Sequence, residues 1–380
     1  MSRISATARN SARAASTTPA SGGVPTGASA RASGGVPAGP SGGTAKTPGP
    51  ASAATSPPRA GAAALPAPSS RAGAWAELLR LPALFTVPGD ALAGAAAAGA
   101  RPGPRTLLAI GSSLCLYEAG MALNDWADRA EDAVERPHRP LPSGRIRPAA
   151  ALAAAGALTG AGLALAAGAG RPALTIAMPL AATVWAYDLT LKHTPAGPAA
   201  MAAARGLDLL LGAAATGGGT RAALPSAALL GSHTLAVTAV SRRETTGGSV
   251  LAPLAALATT GALTGLVARR RTPLPAGRRA AAAPGLSGSI PAPGVADALR
   301  TGLSAVYTAT AARPYFHAVL NPSPPLTQRA VGGGIRATIP LQAALAARSG
   351  AGATSLLVAA LAPAGRWFAR RTAMRKVSIT

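Results

Sequence analysis

From residue 81 to residue 362 the chain alternates apolar runs of spanning length with short breaks of charge, proline or glycine. At a rise of about 1.5 Å per residue, a run of about twenty residues is as long as the hydrocarbon core of a bilayer is thick. Lipid offers a backbone no hydrogen-bonding partners, so each run is expected as a helix that satisfies its own amides. The runs place spans at 81–100, 106–124, 147–168, 171–187, 198–216, 222–240, 249–268, 293–312 and 337–362. The expected fold is an all-α integral membrane protein, a bundle of about nine transmembrane helices. Alanine and glycine dominate the runs, and small residues let helix backbones approach closely, so the bundle should be tightly packed. The composition agrees, with 49% hydrophobic and only 13% charged residues.

The remainder divides into an N-terminal tail at 1–70, a membrane domain at 71–365 and a basic C-terminal tail at 366–380. The N-terminal tail has six basic residues, no acid, and mostly Ala, Ser, Gly, Thr and Pro. It lacks the apolar surface that offsets ordering entropy and is expected to be disordered and of low complexity. ASGGVPTG at 20–27 recurs there as ASGGVPAG at 32–39, too short a duplication for a solenoid. No leucine-rich run of a secretory signal follows the first residues. A single cysteine, Cys115, excludes an internal disulfide framework and a multi-cysteine zinc site.

A net charge of +24 raises nucleic acid as a partner. The basic residues, however, are scattered over the tail and the connections, without an aromatic stacking surface. Arginines facing anionic lipid explain them, so the partner is the bilayer and not nucleic acid, and no obligate protein partner is inferred. The loops after the second, fourth and sixth spans carry Arg129, Arg136, Arg139, Arg145 and Arg147, then Lys192, then Arg242 and Arg243. All lie on one side, expected to be cytoplasmic. Nine spans put ARRRTPLPAGRR at 268–279 and the basic C-terminus on the other side, against that rule.

Five of the twelve acids, Asp125, Asp128, Glu131, Asp132 and Glu135, fall in the connection after the second span, within 125–135. On a continuous helix they and Asn124 share about one third of the circumference, and Glu118 points the same way from within the span. Such a row repels itself unless a cation sits among its oxygens, and hard oxygen ligands suit Mg²⁺, which keeps waters and bridges to phosphate. Arg136 and Arg139 follow at once, and guanidinium forks match phosphate oxygens. Together they describe a diphosphate site, fit for a reaction in which diphosphate leaves. The plain alternative is a charged loop held by i,i+4 pairs.

"NDWADRAEDAVERPHRPLPSGRI", 124–146, resembles the first aspartate-rich motif of the UbiA superfamily of intramembrane prenyltransferases. The pattern N-D-x-x-D-x-x-x-D, then R-P-x-R-P-x-x-S-G-x-I, fits at every fixed position. "LRLPALFTVPGDALAG" (79–94) resembles that family's first helix, and "YDLTLKHTPAGPAAMAAARGLDLLLG" (187–212) its segment after span four. The resemblance implies a nine-helix bundle with a cavity open to the cytoplasmic face, in a bacterial plasma membrane. It implies Mg²⁺-dependent transfer of an isoprenyl group from a polyprenyl diphosphate to an acceptor, aromatic or another small nucleophile, that the sequence does not identify. Carried over, Asn124, Asp128 and Asp132 hold Mg²⁺, with Glu244 as a further ligand. Asp128, Asp132 and Lys192 are the catalytic set. Asp125, Arg136, Arg139, Tyr187, Arg205, Arg242 and Arg243 contact substrate.

Two departures stand beside the match. The second acidic motif D-x-x-x-D is replaced by "TAVSRRETTGG" (238–248), whose only acid is Glu244. Tyr187 and Lys192 are five apart where the family shows Tyr-x-x-x-Lys, and Asp188 takes the four-residue spacing. "SRRE" and the stretch 321–350 are similar to a bacterial subgroup called EboC-like. The missing motif suggests the alternative of a non-catalytic or transporter-like protein that keeps the bundle. Within the spans, Arg205 and Asp208 read as an internal pair or a substrate contact, Glu118 as structural, His233 as a packed core histidine and Asp90 as a cap or break.

Overall fold

In the computed structural model, residues 70–217, 219–244, 247–269 and 294–377 are described, all within the unit Leu65–Thr380. The expected N-terminal tail before Ser70 and the basic stretch from Arg270 to Arg279 lie outside the described residues.

Among the described residues every regular element is helical. The chain enters through α1 (Arg71–Leu78), a 3₁₀ turn (Leu81–Thr86) and α2 (Pro88–Ala97), followed by α3 (Pro104–Ala127) and the short α4 (Arg129–Glu135). Next come α5 (Pro148–Ala169), α6 (Arg171–Ala186) running into a π turn (Tyr187–Leu191), α7 (Gly197–Ala215) and α8 (Thr220–Ser241). The last four are α9 (Leu251–Ala268), α10 (Val295–Leu320), α11 (Pro324–Arg348) and α12 (Gly352–Val377). Proline stands in the first two positions of α2, α3, α5, α6, α7 and α11, where its missing amide hydrogen costs nothing. The breaks seen in the sequence are therefore helix starts.

By length and composition, α3, α5, α6 with its π turn, α8 and α9 are long and apolar enough to cross a membrane. Leu107, Met178, Leu254 and Leu356 are exposed on the outer surface, as on a bundle solvated by lipid. Inside, Tyr307, Tyr315, Leu341 and Leu345 form one core among α8, α10 and α11, and Leu116, Leu180 and Leu211 another among α3, α6 and α7. α2 lies against α7 with backbones in contact: a Cβ on Gly94 would stand 1.9 Å from the Leu209 carbonyl oxygen, and one on Gly212 2.2 Å from that of Ala91. Glycine is required at both points, the close approach expected from the small-residue content.

Two expectations change. The acidic row is not on one continuous helix, because α3 ends at Ala127, Asp128 is the junction and α4 begins at Arg129. The span expected at 337–362 straddles the turn Ser349-Gly350-Ala351, where Gly350 has φ 79, so α11 and α12 are separate helices. α12 brings the chain back to the end of the bundle that carries the acids. Phe368 stacks at 5.5 Å on Phe85, a few residues after Arg80, whose guanidinium holds Asp125. α12 takes in residues 366–377 of the basic C-terminal stretch.

Candidate active site

One end of the bundle gathers the end of α3, α4, the π turn after α6, the end of α8 and the α10–α11 turn. Gly248 N–H donates to the Pro322 carbonyl at 2.8 Å, and the Arg242 guanidinium donates to the carbonyl of Thr194, tying three of these connections together.

The acids there fall into three environments. Asp125 and Asp132 are buried and face arginine: Asp125 accepts from Arg80 at 3.0 Å and Arg139 at 3.5 Å, Asp132 from Arg139 at 2.7 Å and Arg136 at 3.4 Å. Asp128, half-buried at the junction, is paired with Lys192, and His193 Nε2 stands 3.8 Å away. Donor atoms of Asp128, Glu131 and His193 all lie within 4.8 Å of one another, close enough for a shared cation on the exposed side. Asn124 faces inward, and its Nδ2 donates to Asp188 Oδ1 at 3.1 Å.

Inward from this mouth lies a cavity of about 590 Å³ with Asn124, Asp188, Tyr187, Arg80 and Glu244 on its wall and Arg205, Asp208 and His233 deeper in. Of the residues marked in the sequence, Asn124, Tyr187, Arg205 and Glu244 line it, while Asp125, Asp128, Asp132, Arg136, Arg139 and Lys192 form the charged lattice at its rim. Arg242 is turned to the Thr194 carbonyl, and Arg243 is exposed beside it.

The fivefold spacing of Tyr187 and Lys192 has a structural account. Lys192 N–H donates to the Tyr187 carbonyl at 2.9 Å, an i to i+5 bond, so the additional residue is absorbed as a π turn. Lys192 reaches Asp128 from that turn, and Asp188, nearly fully buried at 4% exposure, lies on the cavity wall.

The deep end is a buried polar network. Arg205 pairs with Asp90 at 3.1 Å rather than with Asp208, and Asp90 accepts from Gln342 Nε2 at 2.6 Å. Ser113 donates to Asp208 at 2.5 Å. Asp90, expected as a cap or break, is thus the partner of Arg205. His233 is held at both ring nitrogens, 3.0 Å from the Gly334 carbonyl through Nε2 and 3.2 Å from the Tyr307 hydroxyl through Nδ1. With Nε2–H donating to the carbonyl, Nδ1 accepts from the phenol, and His233 is the packed core histidine expected. Glu118 is buried.

Arg80, Asp188, Asp90 and Gln342 were not marked as site residues in the sequence. Arg80 has one signal, an arginine directly before the first span. Its φ of 48 is the only positive value at a non-glycine among the described residues, and such strain persists only where its surroundings hold it. Asp188 showed only as the residue at four-residue spacing from Lys192.

The model of the UbiA prenyltransferase family matches residues 84–246, a segment that holds the acidic mouth, the π turn and most of the cavity wall. A digeranylgeranylglyceryl phosphate synthase from Natronomonas pharaonis is 32% identical over 162 residues, 42% of this chain and 58% of the relative. The chain spans less than two thirds of the length of the curated relatives it matches. A solved UbiA homolog from Aeropyrum pernix K1 superposes with a TM-score of 0.51 at 18% identity, covering 69% of this chain and 96% of that one. A UbiA homolog from Archaeoglobus fulgidus bound to GPP and Mg²⁺ superposes with a TM-score of 0.50 at 17% identity, covering 76% and 99%. These superpositions cover more of the chain than the matched segment, so the shared fold extends beyond residues 84–246.

Proposed function

We propose that the protein transfers an isoprenyl group from a polyprenyl diphosphate to an acceptor within the membrane, with Mg²⁺ as its metal. The observation that carries this reading is the junction of an oxygen-rich, arginine-bordered mouth with a 590 Å³ cavity inside a UbiA bundle. The Archaeoglobus fulgidus neighbour, bound to GPP and Mg²⁺, supports the same chemistry for this chain.

The donor set suits Mg²⁺. Asn124, Asp128, Asp188 and Glu244 offer hard oxygens at or beside the cavity, whereas Asp125 and Asp132 are held by arginines. A bound Mg²⁺ neutralises charge that develops on the departing diphosphate. The chain supplies the rest. Arg80, on the cavity wall, and Arg136, partly exposed at the rim, present guanidinium groups to phosphate oxygens. Lys192 balances Asp128 and keeps a positive charge at the mouth. Arg139 braces Asp125 and Asp132, which fixes the rim against the repulsion of its own acids. Apolar wall residues such as Leu116, Leu180 and Val184 exclude water from the allylic cation left behind.

The test is Mg²⁺-dependent release of diphosphate from geranylgeranyl or longer diphosphates by the protein in detergent, with candidate acceptors supplied. Asp128→Ala is expected to lower the rate at least a hundredfold, as losses of charge-stabilising groups do. Absence of both binding and turnover with every chain length and acceptor would leave the non-catalytic reading standing.

A further inference from the structure

We propose that the inner end of the cavity, where Arg205 and Asp208 stand side by side in its wall, binds the far end of the acceptor through a hydroxyl group and so selects a neutral acceptor over a charged one. The inference rests on the prenyltransferase reading for its ligand and on geometry for its residues. Arg205 and Asp208 are one turn apart on α7, and both line the cavity. Ser113 and Asn124 mark the two ends of the same wall along α3, about 16 Å apart at the helical rise, with Leu116, Gly120 and Met121 between them. A prenyl donor whose diphosphate lies at the mouth has only hydrocarbon to offer to the inner end. Hydrocarbon there would leave a guanidinium and a carboxyl group buried without partners, which is costly. Of the two substrates, the acceptor is the one with polar groups for this end. Its attacking atom has to reach the donor carbon next to the diphosphate, so the group that meets Asp208 lies at its other end.

The groups around this end decide what it takes. Asp90 pairs with Arg205 at 3.1 Å, and Gln342 Nε2 donates to Asp90 at 2.6 Å and to the Thr86 carbonyl at 2.8 Å. Asp90 and Gln342 are fully buried, so they fix the guanidinium from behind the wall. Arg205 Nη2 turns to the same Thr86 carbonyl at 3.5 Å, and a fork of five N–H groups has more to give. Asp208 accepts from the Ser113 hydroxyl, which has a single proton, so the carboxyl group keeps lone pairs for a ligand. His233, on the same wall, is engaged at both ring nitrogens and leaves the polar contact to Arg205 and Asp208. The wall therefore sets a donor beside an acceptor. A hydroxyl group answers both, donating to Asp208 and accepting from Arg205. The one positive charge of Arg205 already serves two acids, Asp90 by contact and Asp208 through its field, so a carboxylate or phosphate finds no cation to spare. An ammonium has no lone pair for the guanidinium and is repelled by it. Either charged end would also give up its water for a buried site.

Isothermal titration calorimetry on the full chain in detergent, with Mg²⁺ and geranylgeranyl thiodiphosphate supplied, tests this with probes that share a phenol and differ at the far end: 4-(hydroxymethyl)phenol, 4-hydroxybenzoate and 4-(aminomethyl)phenol. The first is expected to bind about tenfold or more tighter than either of the others, the scale set by one buried group left unpaired. Asp208→Asn removes one of the two acids that Arg205 serves. In that variant the preference over 4-hydroxybenzoate is expected to fall by about tenfold or more, with 4-hydroxybenzoate binding more tightly than it does to the wild type. A purely structural role for Asp208 would weaken all of the probes alike. Ser113→Ala, which takes away the hydroxyl that orients Asp208, shifts the preference in the same direction and serves if Asp208→Asn does not fold. The same preference in the wild type and in the variant overturns the proposal, and so does a wild type that binds 4-hydroxybenzoate at least as tightly as 4-(hydroxymethyl)phenol. A protein that binds the thiodiphosphate but none of the probes also overturns it and leaves the prenyltransferase reading standing. One that binds no thiodiphosphate defeats both.

Discussion

Arg139 meets two buried carboxylates at once, Asp132 at 2.7 Å and Asp125 at 3.5 Å, while itself remaining about one fifth exposed. Removing one partner of a buried pair costs more than the pair contributes, because the remaining charge has lost its compensation. Arg139→Met is therefore expected to destabilise the protein by on the order of 3 kcal/mol, seen as a lower melting midpoint in detergent. Arg139→Lys restores part of it, since an ammonium cannot span two carboxylates as a planar fork does. An unchanged midpoint in Arg139→Met would show that Arg80 and Arg136 carry the rim alone. At this scale the sequence marks charged residues that the fold gathers at one mouth, but not the partners they meet there. Spacing along a helix tells which side chains share a side, and it brought Asn124, Asp125, Asp128 and Asp132 to one mouth. It does not tell what stands opposite: Arg80 makes Asp125, expected at the substrate, half of an ion pair, and Asp188 gives Asn124 a neighbour from 64 positions away. Neither leaves a local pattern.

Glycine does two jobs in these helices, and that double use sets what can be read element by element. At Gly94 and Gly212 it lets α2 and α7 touch, and at Gly350 it turns the chain. In a chain with 45 glycines these roles look alike, so Ser349-Gly350-Ala351 does not stand out as a turn and the sequence pattern merges two helices into one span. The first half of α11 also carries Thr327, Gln328, Arg329 and Arg336, so its apolar signal starts late. By contrast the starts of α3, α5 and α7, marked by proline, fall within a few residues of the expected positions. The packing role is testable. A Cβ on Gly212 would meet the Ala91 carbonyl oxygen at 2.2 Å, so Gly212→Ala forces α2 away from α7 and is expected to cost about 1–3 kcal/mol or more. Gly261→Ala, in the middle of α9 with open space around it, is expected to leave the midpoint unchanged or raise it, as alanine is the better helix residue. Equal midpoints for the two variants would mean that the α2–α7 contact is not tight in the folded protein.

Across the whole molecule, the α11–α12 hairpin resolves half of the conflict that the basic residues posed. With nine spans, "RWFARRTAMRK" ends on the side opposite the loops rich in arginine, against the bias that normally sets orientation. In the structure α12 returns, Phe368 reaches Phe85 beside the mouth, and Arg366, Arg370 and Arg371 come to the end that carries Arg80, Arg136, Arg139 and Arg145. The two basic groups then face the same leaflet, where anionic lipid attracts both. A reporter fused after Thr380 and one inserted after Ser143, in the connection between α4 and α5, should therefore report the same compartment, expected to be the cytoplasm. A reporter at Gly170, between α5 and α6, should report the other. If the fusion after Thr380 sides with Gly170, α12 does not cross back and the hairpin is wrong. Agreement of all three with the hairpin would mean that the packing of Phe85 on Phe368, rather than hydropathy, marks where this chain ends its last crossing.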